Sequence, residues 1–111
     1  MYYMVVELKS FTKAAKGVLP EAEIDELILF LALSPKSGDL LQGTGGIRKL
    51  RWKARGKGKR GGARVIYYYH SQTMPLVLVT VFSKGERVDL SQADRNQMKT
   101  LTKALVAEYG G

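Results

Sequence analysis

The chain has 111 residues, 45% of them hydrophobic, and a net charge of +8 at pH 7; that length fits a single domain over 1–111 whose core needs no cross-links. It has no cysteine, which excludes disulfides, thiolate metal sites and cysteine nucleophiles and suits a reducing cytoplasm. The apolar run that includes 28–33 is far below the roughly 20 residues a membrane span needs, and 1–8 carries no basic n-region or cleavage pattern, so a cytoplasmic chain with no membrane partner is expected.

Residues 2–8 (YYMVVEL) are rich in β-branched and aromatic side chains and read as a strand. Ser10 is placed to cap a short helix over 11–16, which Gly17 stops. Pro20 suits the first turn of a second helix, with Glu21 and Glu23 beside its positive dipole end. Ile24, Leu27, Ile28 and Leu31 recur at helical spacing and give that helix a buried face, and Ser34 and Pro35 end it. The acids from Glu21 to Glu26 read as a solvated helix start. Residues 38–46 form a glycine-punctuated connection, too irregular for regular structure.

Residues 47–53 (IRKLRWK) follow as a strand with an unusual alternation. Arg48, Leu50 and Trp52 take one face, and Ile47, Lys49, Arg51 and Lys53 the other. A face with three cations cannot be buried, so it is expected where helices leave the sheet uncovered. A basic, glycine-rich loop over 54–62 leads to a strand over 63–69, and 76–82 is a strand apolar on both faces and therefore central. Residues 70–75 connect the two. Ser91 to Asp94 has the form of a capping box, opening a helix to about Tyr109 with an apolar seam of Met98, Leu101 and Leu105. The order β-α-α-β-β-β-α gives an α+β fold with a mostly antiparallel sheet, the first strand at an edge or beside the central strand, and helices packed on one face.

The charge is segregated: no acidic residue lies between Asp39 and Glu86, while nine of the eighteen basic residues fall between Arg48 and Arg64. Such a one-signed field attracts phosphate backbones or an acidic protein. There is no HExxH, no Walker A pattern and no ligand cluster at metal spacing, so neither metal nor cofactor is expected. The Gly-Lys run at 56–62 lacks the Lys-Ser/Thr ending of a phosphate loop. In a meander, Lys49, Arg51, Arg64 and Lys84 could converge. Cleavage of RNA by its own 2′-hydroxyl needs a base, positive charge on the pentavalent phosphate, and an acid for the leaving 5′-oxygen. The guanidinium fork suits the second task, and a lysine crowded by cations could serve the first. A phosphate-binding face without chemistry is the simpler alternative. His70, the one histidine, reads as a solvated turn residue with general acid as its other role; Trp52 reads as core; Tyr68 shares the face of Arg64 and could stack on a base.

The runs 38–51, 56–68 and 82–86 resemble the HigB branch of the RelE/ParE toxin superfamily, and the order of elements is similar over nearly the whole chain. The resemblance implies a toxin of a type II toxin–antitoxin system, neutralised by a cognate antitoxin of the HigA-like, DNA-binding kind. It implies an mRNA interferase, a ribosome-dependent endoribonuclease that cuts mRNA in the A site and so inhibits translation, with no metal or cofactor. Carried over by position, the catalytic residues are Arg64 as the phosphate-stabilising cation, Lys49 or Arg51 to orient the scissile region, and Lys84 at the leaving group or as a further clamp. Lys53, Arg55, Lys57, Lys59, Arg60 and Tyr68 are the implied contacts to mRNA or ribosomal RNA. Gly85 stands where RelE itself has an arginine and Ser91 where it has a tyrosine, which calls for another base or acid: a lysine, Tyr68 or His70. Two alternatives share these features, a non-enzymatic gyrase inhibitor of the ParE kind and a basic RNA-binding module without cleavage. The cations on the central strands favour RNA cutting.

Overall fold

The computed structural model describes residues 4–53, 62–85 and 90–110. Its elements are β1 (Val5–Glu7), α1 (Lys9–Ala15), α2 (Glu21–Leu33), β2 (Asp39–Leu40), β3 (Ile47–Trp52), β4 (Ala63–Tyr68), β5 (Leu76–Ser83) and α3 (Gln92–Tyr109). They build one five-stranded sheet in the order β1-β5-β4-β3-β2. The last four strands form an antiparallel meander, while β1 lies parallel to β5 at the edge, with Val5 opposite Leu76.

Strand alternation divides the apolar residues between the two faces. Leu50, Trp52, Val65, Tyr67, Leu76, Leu78 and Val81 pack against Phe11, Ala15, Leu27 and Leu31 of α1 and α2. Ile47, Ile66, Tyr68, Val77 and Val79 pack against Met98 and Leu105 of α3. The α+β class and the mostly antiparallel sheet are as expected, but the helices do not share a face: α3 covers the side opposite α1 and α2. Lys49 and Arg51 on that side of β3 do not keep all of it open, because Ile47 at the start of the strand gives α3 an apolar landing.

The long apolar run of β5 serves both layers through a β-bulge. Ile66 is opposite Thr80 and Tyr67 opposite Leu78, so Val79 has no Cα partner and the parity of the strand reverses there. The Ser10 hydroxyl donates to the Val79 carbonyl. Ser10 is therefore a tie to the bulge and not the cap of α1; the helix starts a residue earlier, at Lys9, with Leu8 extended before it. Pro20 likewise sits in extended backbone just ahead of α2, with Glu21 and Glu23 in the first turn. At α3 the capping box is present in both directions, Ser91 accepting from the Asp94 amide and Asp94 from the Ser91 amide. Among the described residues no helix is long and apolar enough to cross a membrane.

Candidate nucleic-acid interface

Because α3 lies over Ile47, Ile66, Tyr68 and Val77, it covers only one end of its face. At the other end the strand register sets out two cross-strand rows: Arg51–Arg64–Phe82, and beside it Lys49–Ile66–Thr80. Lys84 follows Phe82 by two residues and is held to the end of the meander by its amide, which donates to the Gly62 carbonyl at 3.0 Å. Arg51 and Lys84 are exposed, Lys49 and Arg64 half-buried. The Arg64 guanidinium Nη1 donates to the Ala63 carbonyl at 3.2 Å, which draws the side chain toward the strand end. Directly opposed residues have Cβ atoms about 4.5–5.5 Å apart, and like charges so placed repel. Arg51 and Arg64 are such a pair. Two guanidinium groups in this position offer several donors to one anion, and an anion between them relieves the repulsion.

The remaining sequence candidates are distributed otherwise. Lys53 leaves the cationic face: its Nζ is 3.2 Å from Glu26 Oε2 of α2, so the strand's alternation stops at Trp52 and Glu26 is more than a solvated helix start. Both side chains are more than half exposed, so the pair adds little stability. Tyr68 is 3% exposed, its hydroxyl lies 3.1 Å from His70 Nδ1, and burial raises its pKa. A ring so covered gives a base no platform, which corrects the stacking role. The correction follows from α3, whose cover the basic pattern of β3 does not announce. His70 is exposed, and Trp52 is buried with Phe30, ring centroids 5.2 Å apart. Ser91 caps α3. Arg55, Lys57, Lys59 and Arg60 lie outside the described residues.

Sequence reasoning passed over Asp39. The connection it was assigned to contains β2, which pairs antiparallel with β3 and sets Asp39 opposite Lys49. Asp39 is the last acid before the acid-free stretch, the one sequence signal that singles it out. The segment before it is tightly held. The fully buried Tyr67 hydroxyl donates to the Pro35 carbonyl and accepts from the Gly38 amide, each at 2.8 Å. Burial raises the Tyr67 pKa, and the Gly38 hydrogen bond opposes that shift. Arg48 Nη1 donates to the Gly38 carbonyl at 2.8 Å and to the Lys36 carbonyl at 3.2 Å. After β2, the Thr44 hydroxyl donates to the Leu41 carbonyl at 2.6 Å and accepts from the Ile47 amide at 3.1 Å. Among the described residues no group of three or more His, Asp or Glu side chains could hold a metal ion.

The fold and this surface define a class: a small α+β domain whose open sheet, half covered by a terminal helix, presents clustered cations suited to phosphate. The chain belongs to the RelE toxin family. The sequence model for that family, described as the RelE toxin of the RelE/RelB toxin–antitoxin system, matches residues 4–109. Its role is accordingly that of a toxin in a toxin–antitoxin system.

Proposed function

We propose that the protein is a cytoplasmic, ribosome-dependent endoribonuclease of the HigB-like kind, which cuts mRNA in the A site and is restrained by a cognate, HigA-like antitoxin. The observation that carries this reading is the cross-strand pair Arg51–Arg64 with Lys49 and Lys84 on its margins. Arg64 stabilises the charge that builds on the scissile phosphate, as a bidentate donor held close to the sheet. Lys49 and Arg51 hold the neighbouring backbone in line, and Lys84 gives its proton to the departing 5′-oxygen. The basic, glycine-rich sequence with Arg55, Lys57, Lys59 and Arg60 meets ribosomal RNA. The cations lie on an open sheet surface, so alignment of the 2′-hydroxyl with the phosphorus has to come from elsewhere. The ribosome supplies it by fixing the codon, which converts the cut into an effectively intramolecular event.

The test is to add purified protein to a translating extract and map mRNA 5′ ends by primer extension. New ends at the A-site codon are expected, lost with Arg64→Ala and strongly reduced with Arg64→Lys, which keeps the charge but not the fork. Stalling without new ends would mean a binding-only inhibitor. Unaffected translation would redirect the search to DNA gyrase. Cutting that survives Arg64→Ala removes Arg64 from the mechanism.

A further inference from the structure

The four cations of the basic face supply charge and donors but no acceptor for the proton of the 2′-hydroxyl, since a protonated lysine or arginine has no lone pair to offer. Two carboxylates stand on strands among the described residues. Glu7, on β1, is opposite Leu78, which belongs to the layer under α1 and α2. Asp39, on β2, is opposite Lys49 and so leaves the sheet on the cationic face. Directly opposed Cβ atoms are about 5 Å apart and diagonal ones about 7–8 Å, so Asp39 adjoins Lys49 and stands one diagonal step from Arg51.

The way β2 is held also needs a reason. A two-residue strand at a sheet edge has little pairing of its own, and both its residues are exposed, Leu40 at 60%. Burial therefore does not explain it. Yet Gly38, just before Asp39, takes one hydrogen bond from Arg48 and gives another to the buried Tyr67 hydroxyl. Leu41, just after, is tied through its amide to the Ile47 carbonyl at 2.9 Å and through its own carbonyl to Thr44. A Cβ at position 38 would lie 2.8 Å from the Tyr67 ring, so the backbone there is packed as closely as glycine permits. These contacts fix the backbone that carries one exposed carboxylate, at the register position opposite Lys49.

We infer that Asp39 is the general base of RNA cleavage, a role that rests on the endoribonuclease reading above. Its carboxylate takes the 2′-hydroxyl proton as the 2′-oxygen bonds to phosphorus. The bond from phosphorus to the 5′-oxygen breaks, its electron pair leaves on that oxygen, and the Lys84 ammonium protonates it. The products are a 2′,3′-cyclic phosphate and a 5′-hydroxyl end, and Asp39 and Lys84 then exchange their protons with water. Lys49, between Asp39 and the arginines, holds a phosphate oxygen and keeps the ribose over the carboxylate.

The experiment measures single-turnover cutting on ribosomes with an open A site, using mRNA with either the ordinary linkage or a bridging 5′-sulfur at the scissile position. Sulfur leaves without needing a proton. Lys84→Ala should therefore slow only the ordinary linkage, while Asp39→Asn should slow both alike, by roughly 10²–10⁴-fold, with ribosome binding and thermal melting unchanged. Asp39→Glu, which keeps a carboxylate on a longer arm, should retain more activity than Asp39→Asn and decides the matter if the amide variant folds poorly. Asp39→Asn cutting at the unsubstituted rate, or weakening binding alone, overturns the assignment and leaves the nuclease reading standing. If the unsubstituted protein cuts neither linkage, the nuclease reading itself has failed.

Discussion

Tyr67 does two things with one hydroxyl, giving to Pro35 and taking from Gly38 at the bottom of a fully buried site. Tyr67→Phe strands the Gly38 amide without its partner, which should cost about 1–3 kcal/mol in urea unfolding. Gly38→Ala forces a methyl against the same ring and should lose a similar 1–3 kcal/mol. The ionisation of Tyr67 gives a further test, because burial lifts its pKa above the ordinary 10.0. The unfolded chain then loses its proton first, so stability is full below the unfolded value and falls as pH rises from there toward the folded one. Urea midpoints should drop on the alkaline side, and the drop should be shallower in Tyr67→Phe; identical slopes would mean that another group controls it. At this scale the sequence is legible where period-2 alternation operates, as it does for Lys49 and Arg51. It is silent on Lys53 and Tyr68, whose surroundings come from α2 and α3, elements distant in the chain.

Among the elements, β3, β4, β5 and α3 could be read directly. Each of these strands alternates or is largely apolar, and the capping box at Ser91 marks where the helix begins. Removing that cap by Ser91→Ala should cost about 1 kcal/mol, read as a shift of the urea midpoint with an unchanged slope. The two-residue β2 has no period to detect and was hidden in a run that looks like loop. The face taken by α3 was also illegible, because half of that face is apolar and half cationic and β3 carries both. The opposed arginines make a separate prediction. If they repel in the free protein, Arg51→Thr should stabilise it by a few tenths to about 1 kcal/mol while lowering cutting. A variant both less stable and less active would show that Arg51 serves the sheet instead.

On the scale of the whole molecule, segregated charge concentrates cations at one end of the sheet, the surface proposed to meet a polyanion, while the acids of α2 lie toward the other layer. Affinity for single-stranded RNA should then fall with salt, each phosphate-bound cation adding about 0.7 to the slope of log K against log salt concentration. Arg51→Gln should lower that slope by about 0.7, measured by fluorescence anisotropy on a short RNA. An unchanged slope would place the phosphate away from Arg51.

The pairing of β1 with β5 has a consequence for how the protein is made. The tie from Ser10 to Val79 joins residues 69 positions apart, and among the described residues β1 pairs with β5 alone. At a synthesis rate of roughly 5–20 residues per second, the first strand waits about 3–14 seconds for its partner to be translated. The α1–α2 layer closes on the sheet only with that late strand in place. A growing chain thus stays incomplete until most of the sequence has been translated, and on the proposed reading the ribosome that makes it is not yet exposed to a finished toxin.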